Sequence, residues 1–136
     1  MALLIESTAL IGLERRGRGA SAFGSVTREE DLAIAAITAS EILVGRYNAD
    51  SPQRRITRER WVEDALGRLP LLPFELAVAR QYAKLWADLS AGGSMIGLHD
   101  IQVAATALTH GYGVLTDNVR NFERVPGLVV RQQAWS

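Results

Sequence analysis

The chain contains no cysteine, which excludes disulfides, zinc–thiolate sites and thiol nucleophiles together and is the usage expected of a cytoplasmic protein. Lysine is almost as scarce: Lys84 stands alone, and the other 14 of the 15 basic residues are arginine. With 15 acidic residues against them the formal net charge is zero, so no overall field draws the chain to nucleic acid. Long hydrophobic runs are missing too. No apolar stretch approaches the roughly 20 residues that span a bilayer, and no membrane association is expected. In the N-terminal MALLIESTALIGLERR, Glu6 interrupts the apolar run and the arginines follow it, unlike a secretion signal. What remains is a chain of 136 residues, 48% hydrophobic, sufficient for one domain, 1–136, with a substantial core.

Short apolar runs alternate with helix-periodic segments. Ala2–Ile5 and Leu32–Ile37 read as strands buried on both faces. Ser7 or Thr8 is placed to cap the helix through Ala9, Leu10 and Leu13, and Thr38 to Ser40 to cap the helix bearing Glu41. Gly17–Ser25 reads as a loop; its GRGASAFG follows a helix, so it lacks the strand–turn–helix setting of a phosphate loop. The arginine-rich Gln53–Arg68 is an amphipathic helix with Ile56, Trp61, Val62, Ala65 and Leu66 on its apolar side. Leu69–Phe74, with Pro70 and Pro73, suits only an edge or a very short strand. A helix over Glu75–Leu89 aligns Leu76, Ala79, Tyr82, Ala83 and Trp86. After a further helix from Asp100 come strands at Val114–Thr116 and Leu128–Val130. The alternation predicts an α/β fold, a three-layer α/β/α sandwich on a mostly parallel central sheet.

Four acids carry the chemistry. Glu6 follows the first strand, Glu41 lies on the helix after the second, Asp100 opens a helix and Asp117 follows a late strand. Singly, each is an ordinary helix-start, surface or turn residue. Together, on parallel strands, they gather at one sheet edge. Carboxylates so crowded raise one another's pKa unless a cation joins them, and their oxygens suit Mg2+ or Mn2+. His99 adjoins Asp100 and His110 ends its helix; neither is needed for this chemistry.

The segments LLIESTALIGLERR, TASEILVG, LHDIQVAATALTHGYGVLTDN and NVRNFERVPGL span nearly the whole chain. Together they resemble the PIN-domain proteins, specifically VapC-type toxins of bacterial toxin–antitoxin pairs. The resemblance implies a Mg2+- or Mn2+-dependent endoribonuclease, homodimeric, held inactive by a cognate antitoxin, whose metal-activated water cuts RNA to leave a 5′-phosphate. It implies Glu6, Glu41, Asp100 and Asp117 as catalytic acids, with Glu6, Asp100 and Asp117 on the metal. Ser7, Thr8, Thr116 and Asn118 would support them. Glu6 departs from the family's Asp by one methylene, roughly 1.5 Å, which a strict octahedral Mg2+ site feels. Asn121 stands where a closing D-F pair has its acid.

RNA contact is assigned to Arg15, Arg16 and Arg18 beyond the first helix, whereas Arg54, Arg55, Arg58 and Arg60 read as a solvated or antitoxin-facing surface. Trp61 and Trp86 read as core or interface residues. The alternative function is a catalytically weakened PIN-fold module that mainly binds antitoxin and RNA. A receiver domain needs a lysine after a late strand, and Lys84 is mid-helix. A phosphatase of the Asp-x-Asp type fails at Glu6-Ser7-Thr8.

Overall fold

Parallel strands need long crossovers, and helices supply the principal ones here. The structure, a computed structural model, describes residues 1–27 and 30–134. Strands β1 (Leu3–Ile5), β2 (Leu32–Ala35), β3 (Leu71–Leu72), β4 (Gly113–Leu115) and β5 (Val130–Arg131) form one all-parallel sheet in the order β3-β2-β1-β4-β5. The helices are α1 (Ser7–Arg15), α2 (Gly24–Thr27), α3 (Ala36–Tyr47), α4 (Pro52–Arg68), α5 (Leu76–Ala91), α6 (Leu98–His110) and α7 (Val119–Phe122). Among the described residues no helix is long and apolar enough to cross a membrane.

Strand side chains alternate between faces, and the two cores follow that alternation. Leu3, Ile5, Leu32, Ile34 and Leu115 pack with Leu10 and Leu13 of α1, Ile42 of α3 and Val62 of α4. Leu4, Ala33, Ala35 and Val114 pack on the other face with Val78, Leu85 and Leu89 of α5, Ile101 and Val103 of α6, and Phe122. The result is the expected three-layer sandwich. The outer strands β3 and β5 are two residues each, as the prolines around Leu71 foreshadow.

The structure moves several boundaries. β2 stops at Ala35, where pairing with β3 ends at Leu72, and the chain turns at once into α3. Thr38 and Ser40 therefore lie inside that helix, and Ala35 precedes it without a side-chain cap. At α1 the cap is Glu6 itself, whose carboxylate accepts the Thr8 amide, rather than Ser7 or Thr8. The segment 17–25 is not a plain loop: a 3-10 turn (Ala20–Phe23) and α2 form because Ala22, Phe23 and Val26 are drawn into the core. On α5 the buried stripe is Val78, Leu85 and Leu89, while Leu76 is 66% and Trp86 47% exposed. That helix is apolar on more than one side, so periodicity alone did not pick the face. Ile56 of α4 is likewise exposed.

β4 begins one residue early, at Gly113, and β5 is shifted to Val130–Arg131. A Cβ on Gly113 would lie 2.8 Å from Leu3 Cδ2 and 3.0 Å from the Val129 carbonyl oxygen. Only glycine lets β1, β4 and the β5 lead-in approach so closely. Gly113→Ala should lower folding stability by about 1–3 kcal/mol, read as an earlier midpoint in urea denaturation.

Candidate active site

In an open α/β sheet the loops after two neighbouring strands part where the strand order reverses, and the crevice between them binds ligands. Here that point lies between β1, which leads towards β2, and β4, which leads towards β5. Glu6 follows β1 and Thr116 follows β4, and the ladder continues one residue past β1 as the Glu6 amide donates to the Leu115 carbonyl at 2.9 Å.

Glu6 is buried, 2% exposed, and its carboxylate is saturated. Oε1 accepts the hydroxyls of Thr8 at 2.5 Å and Thr116 at 2.6 Å. Oε2 accepts the Ser7 hydroxyl at 2.8 Å and the Thr8 amide at 3.2 Å. These four bonds match the roughly four acceptor sites of an ionised carboxylate. The hydroxyls are themselves fixed, because Thr8 Oγ1 accepts the Asp117 amide at 3.1 Å and Thr116 Oγ1 the Asn118 amide at 2.8 Å. Ser7, Thr8 and Thr116 thus converge on Glu6, while Asn118 takes part through its backbone.

Glu41 and Asp100 stand beside this web, part-buried and less satisfied. Glu41 Oε2 meets the Ser7 hydroxyl at 3.5 Å and His99 Nδ1 at 3.6 Å. Asp100, in the first turn of α6, takes the Asn121 amide nitrogen on Oδ2 at 3.2 Å. Glu41 Oε1 and Asp100 Oδ1 have no hydrogen bond among the described residues. Burial raises both carboxyls above their ordinary pKa values. For Glu41, His99 opposes the rise, and the charges of Glu6 and Asp100 add to it. For Asp100, the Asn121 bond and His99 oppose it, and Glu6 adds to it.

Asp117 Oδ2 lies 2.7 Å from where a Cβ on Gly12 would be, against α1. A contact on Asp100 comes from Asn121, the residue that stands where a closing D-F pair has its acid. The arginines also separate. Arg15 lines a cavity of about 110 Å³ with Glu41, Ile42 and Trp61. Arg16 is exposed, and Arg18 receives the Trp61 indole N–H on its carbonyl at 2.8 Å. Arg58 ties α4 to Glu14 at 3.3 Å and to the Gly45 carbonyl at 3.1 Å, and Arg54 pairs with Asp50.

Among the described residues no three His, Asp or Glu side chains are arranged to hold a metal on their own. The donor set nonetheless fits Mg2+ or Mn2+. Mg2+ keeps several waters and is commonly held by only one or two carboxylates together with substrate phosphate, and Glu41 and Asp100 each present a free oxygen. Burial first, and then the neighbouring negative charge, raise their pKa values, and a bound cation would favour the charged forms of both.

A carboxyl with a raised folded pKa holds its proton more tightly in the folded state than in the unfolded one. Its contribution to stability is therefore full below the ordinary carboxylate range and is lost as pH rises through the raised value. Thermal unfolding in EDTA should show stability declining from about pH 4 upward. Glu41→Gln and Asp100→Asn should each flatten that decline and raise the melting temperature at neutral pH.

Residues 3–128 match the PIN domain. The chain is 34% identical over 135 residues to ribonuclease VapC1 of Rickettsia felis, covering 96% of this chain and 95% of that one. It is 31% identical over 104 residues to the tRNA(fMet)-specific endonuclease VapC of Salmonella typhimurium, covering 76% and 75%. The structure superposes on DNA-bound VapBC from Salmonella typhimurium with a TM-score of 0.84 at 25% identity, over 100% of this chain and 99% of that one. The chain therefore belongs to the PIN-domain family, within its VapC ribonuclease group.

Proposed function

We propose that this chain is a divalent-metal-dependent endoribonuclease toxin of the cytoplasm, restrained by a cognate antitoxin. The observation that carries the reading is the pair Glu41 and Asp100. Both are half-buried at the switch point, both are pushed towards protonation, and each keeps one oxygen free of hydrogen bonds. These two residues would hold Mg2+ or Mn2+ directly. Glu6, its acceptor sites filled by Ser7, Thr8 and Thr116, would act through the field of its fixed charge and through water rather than as a direct ligand. Asp117, turned towards Gly12, is left out of the metal set. Membership of the VapC group and the likeness to a toxin–antitoxin complex support the ribonuclease activity and the antitoxin partner.

When bound, a divalent cation acidifies water and offsets charge on the phosphate. The protein's own part is positioning. Asn121 holds one oxygen of Asp100, and the Ser7 hydroxyl, whose one proton serves Glu6 at 2.8 Å, stands 3.5 Å from Glu41. Hydrolysis adds water to phosphorus and breaks the P–O3′ bond, leaving a 3′-hydroxyl and a 5′-phosphate. The tRNA specificity in the name of the Salmonella relative makes tRNA the substrate class of choice. We also propose a homodimer, because Leu76, Trp86 and Phe74 leave an apolar surface on and before α5 that a second copy would cover.

One observation favours a second reading, a weakened module that binds antitoxin and RNA: the acceptor sites of Glu6 are filled by protein donors, Ser7, Thr8 and Thr116. Cleavage of an initiator tRNA transcript with Mg2+ or Mn2+ separates the two. The enzyme reading expects cutting that EDTA removes and that Asp100→Asn lowers by at least about 100-fold. Glu6→Asp should match or exceed the wild type. Activity found only in Glu6→Asp would establish the weakened module.

A further inference from the structure

We propose that His99 is a platform for the nucleobase beside the scissile phosphate, its imidazole ring stacking on one unpaired base and so fixing which bond is brought to Glu41 and Asp100. The inference rests on the ribonuclease reading and deepens it: the acids serve the chemical step, and this ring grips the nucleotide.

Three successive residues open α6, and successive helix positions point about 100° apart. Asp100 is part-buried in the crevice, with Asn121 on one of its oxygens. Leu98 and His99 stay outside, with exposures of 56% and 58%. The one polar partner of His99 among the described residues is Glu41, whose Oε2 lies 3.6 Å from Nδ1. No aromatic ring or guanidinium of the described residues covers the imidazole. Its faces and Nε2 are therefore open to whatever enters the crevice. Neither burial nor a hydrogen bond accounts for the residue, because 3.6 Å is beyond hydrogen-bond reach.

The approach to Glu41 fixes where the ring lies. Glu41 turns Oε2 towards His99 and the Ser7 hydroxyl and keeps Oε1 free. The imidazole thus flanks the oxygen opposite the one left for a cation, so ring and metal do not compete. A phosphate drawn to that cation brings its own base to the ring, since a base hangs from the sugar next to its phosphate.

The charge of the rim selects a base here rather than a second phosphate. Glu6, Glu41 and Asp100 surround the crevice with negative charge, which repels any phosphate not covered by a cation. A base is uncharged and offers a π face, and aromatic side chains, histidine included, take unstacked bases in this way. Leu98 adds apolar surface to the same turn. Inside a duplex the π face is covered by the next base pair, so the platform accepts a nucleotide that is unpaired or splayed out.

The test is steady-state cleavage of an initiator tRNA transcript with Mg2+, at a pH above the ordinary imidazole range so that charge on the ring plays no part. A second set of transcripts carries an abasic residue on either side of the mapped cut, and the Mg2+-induced rise in melting temperature is measured on the same proteins. His99→Ala should raise KM about tenfold, the scale of one lost base stack, with a smaller change in kcat. His99→Phe should restore KM. His99→Asn, which keeps a donor towards Glu41 but has no ring, should resemble His99→Ala. All three should keep the wild-type Mg2+-induced rise. An abasic residue on one side of the cut should cost the wild type about as much as His99→Ala does, and the two changes combined should cost little more than either. Rescue by His99→Asn and not by His99→Phe, or a lost Mg2+-induced rise in His99→Ala, would overturn the platform by assigning His99 to the orientation of Glu41. A wild-type KM in His99→Ala, or abasic and His99→Ala losses that simply add, would overturn it too and leave the ribonuclease reading standing. Failure of the wild-type chain to cut the transcript at all would remove that reading and the platform with it.

Discussion

A carboxylate sealed at the tip of a central strand must have every lone pair answered, or the fold bears a large desolvation cost. Glu6 meets this demand with donors from two separate parts of the chain, Ser7 and Thr8 at the start of α1 and Thr116 beyond β4. Each threonine hydroxyl in turn receives a backbone amide from the β4 loop. One buried charge thus locks the β1–α1 turn to the β4–α7 turn, and the crevice between them inherits its shape from that lock.

The neighbouring acids divide the work. Glu6 is satisfied by protein and needs nothing further, whereas Glu41 and Asp100 share a part-buried rim with it and carry the electrostatic load. A site arranged this way is poised for a cation without being a closed cage. Asn121, as a neutral donor, steadies Asp100 without adding a further charge to the rim.

The layer order and the gathering of Glu6, Glu41 and Asp100 were legible because they follow from apolar runs, from helix periodicity and from the rule that parallel strands point their C-terminal ends one way. What was not legible depended on contacts distant in sequence. β2 ends at Ala35 because its neighbour β3 ends, which nothing in LAIAAI announces. The core-facing side of α5 was chosen by the sheet, not by a pattern that was apolar on more than one side. That Asp117 Oδ2 packs over Gly12, a glycine over a hundred residues earlier, is likewise a contact no local pattern announces. Asn121 stands where the resemblance has an acid, and its bond to Asp100 emerges only when the β4 loop meets α6.

The sheet's two outermost strands have consequences for how this protein meets others. β3 and β5 pair over only two residues each, with Pro70 and Pro73 flanking β3. Each rim of the sheet therefore exposes few unpaired backbone groups, too little template for another chain to add a strand. Any association, with a second copy or with an unlike protein, is thereby directed onto helix surfaces, where side chains rather than main-chain ladders select the partner.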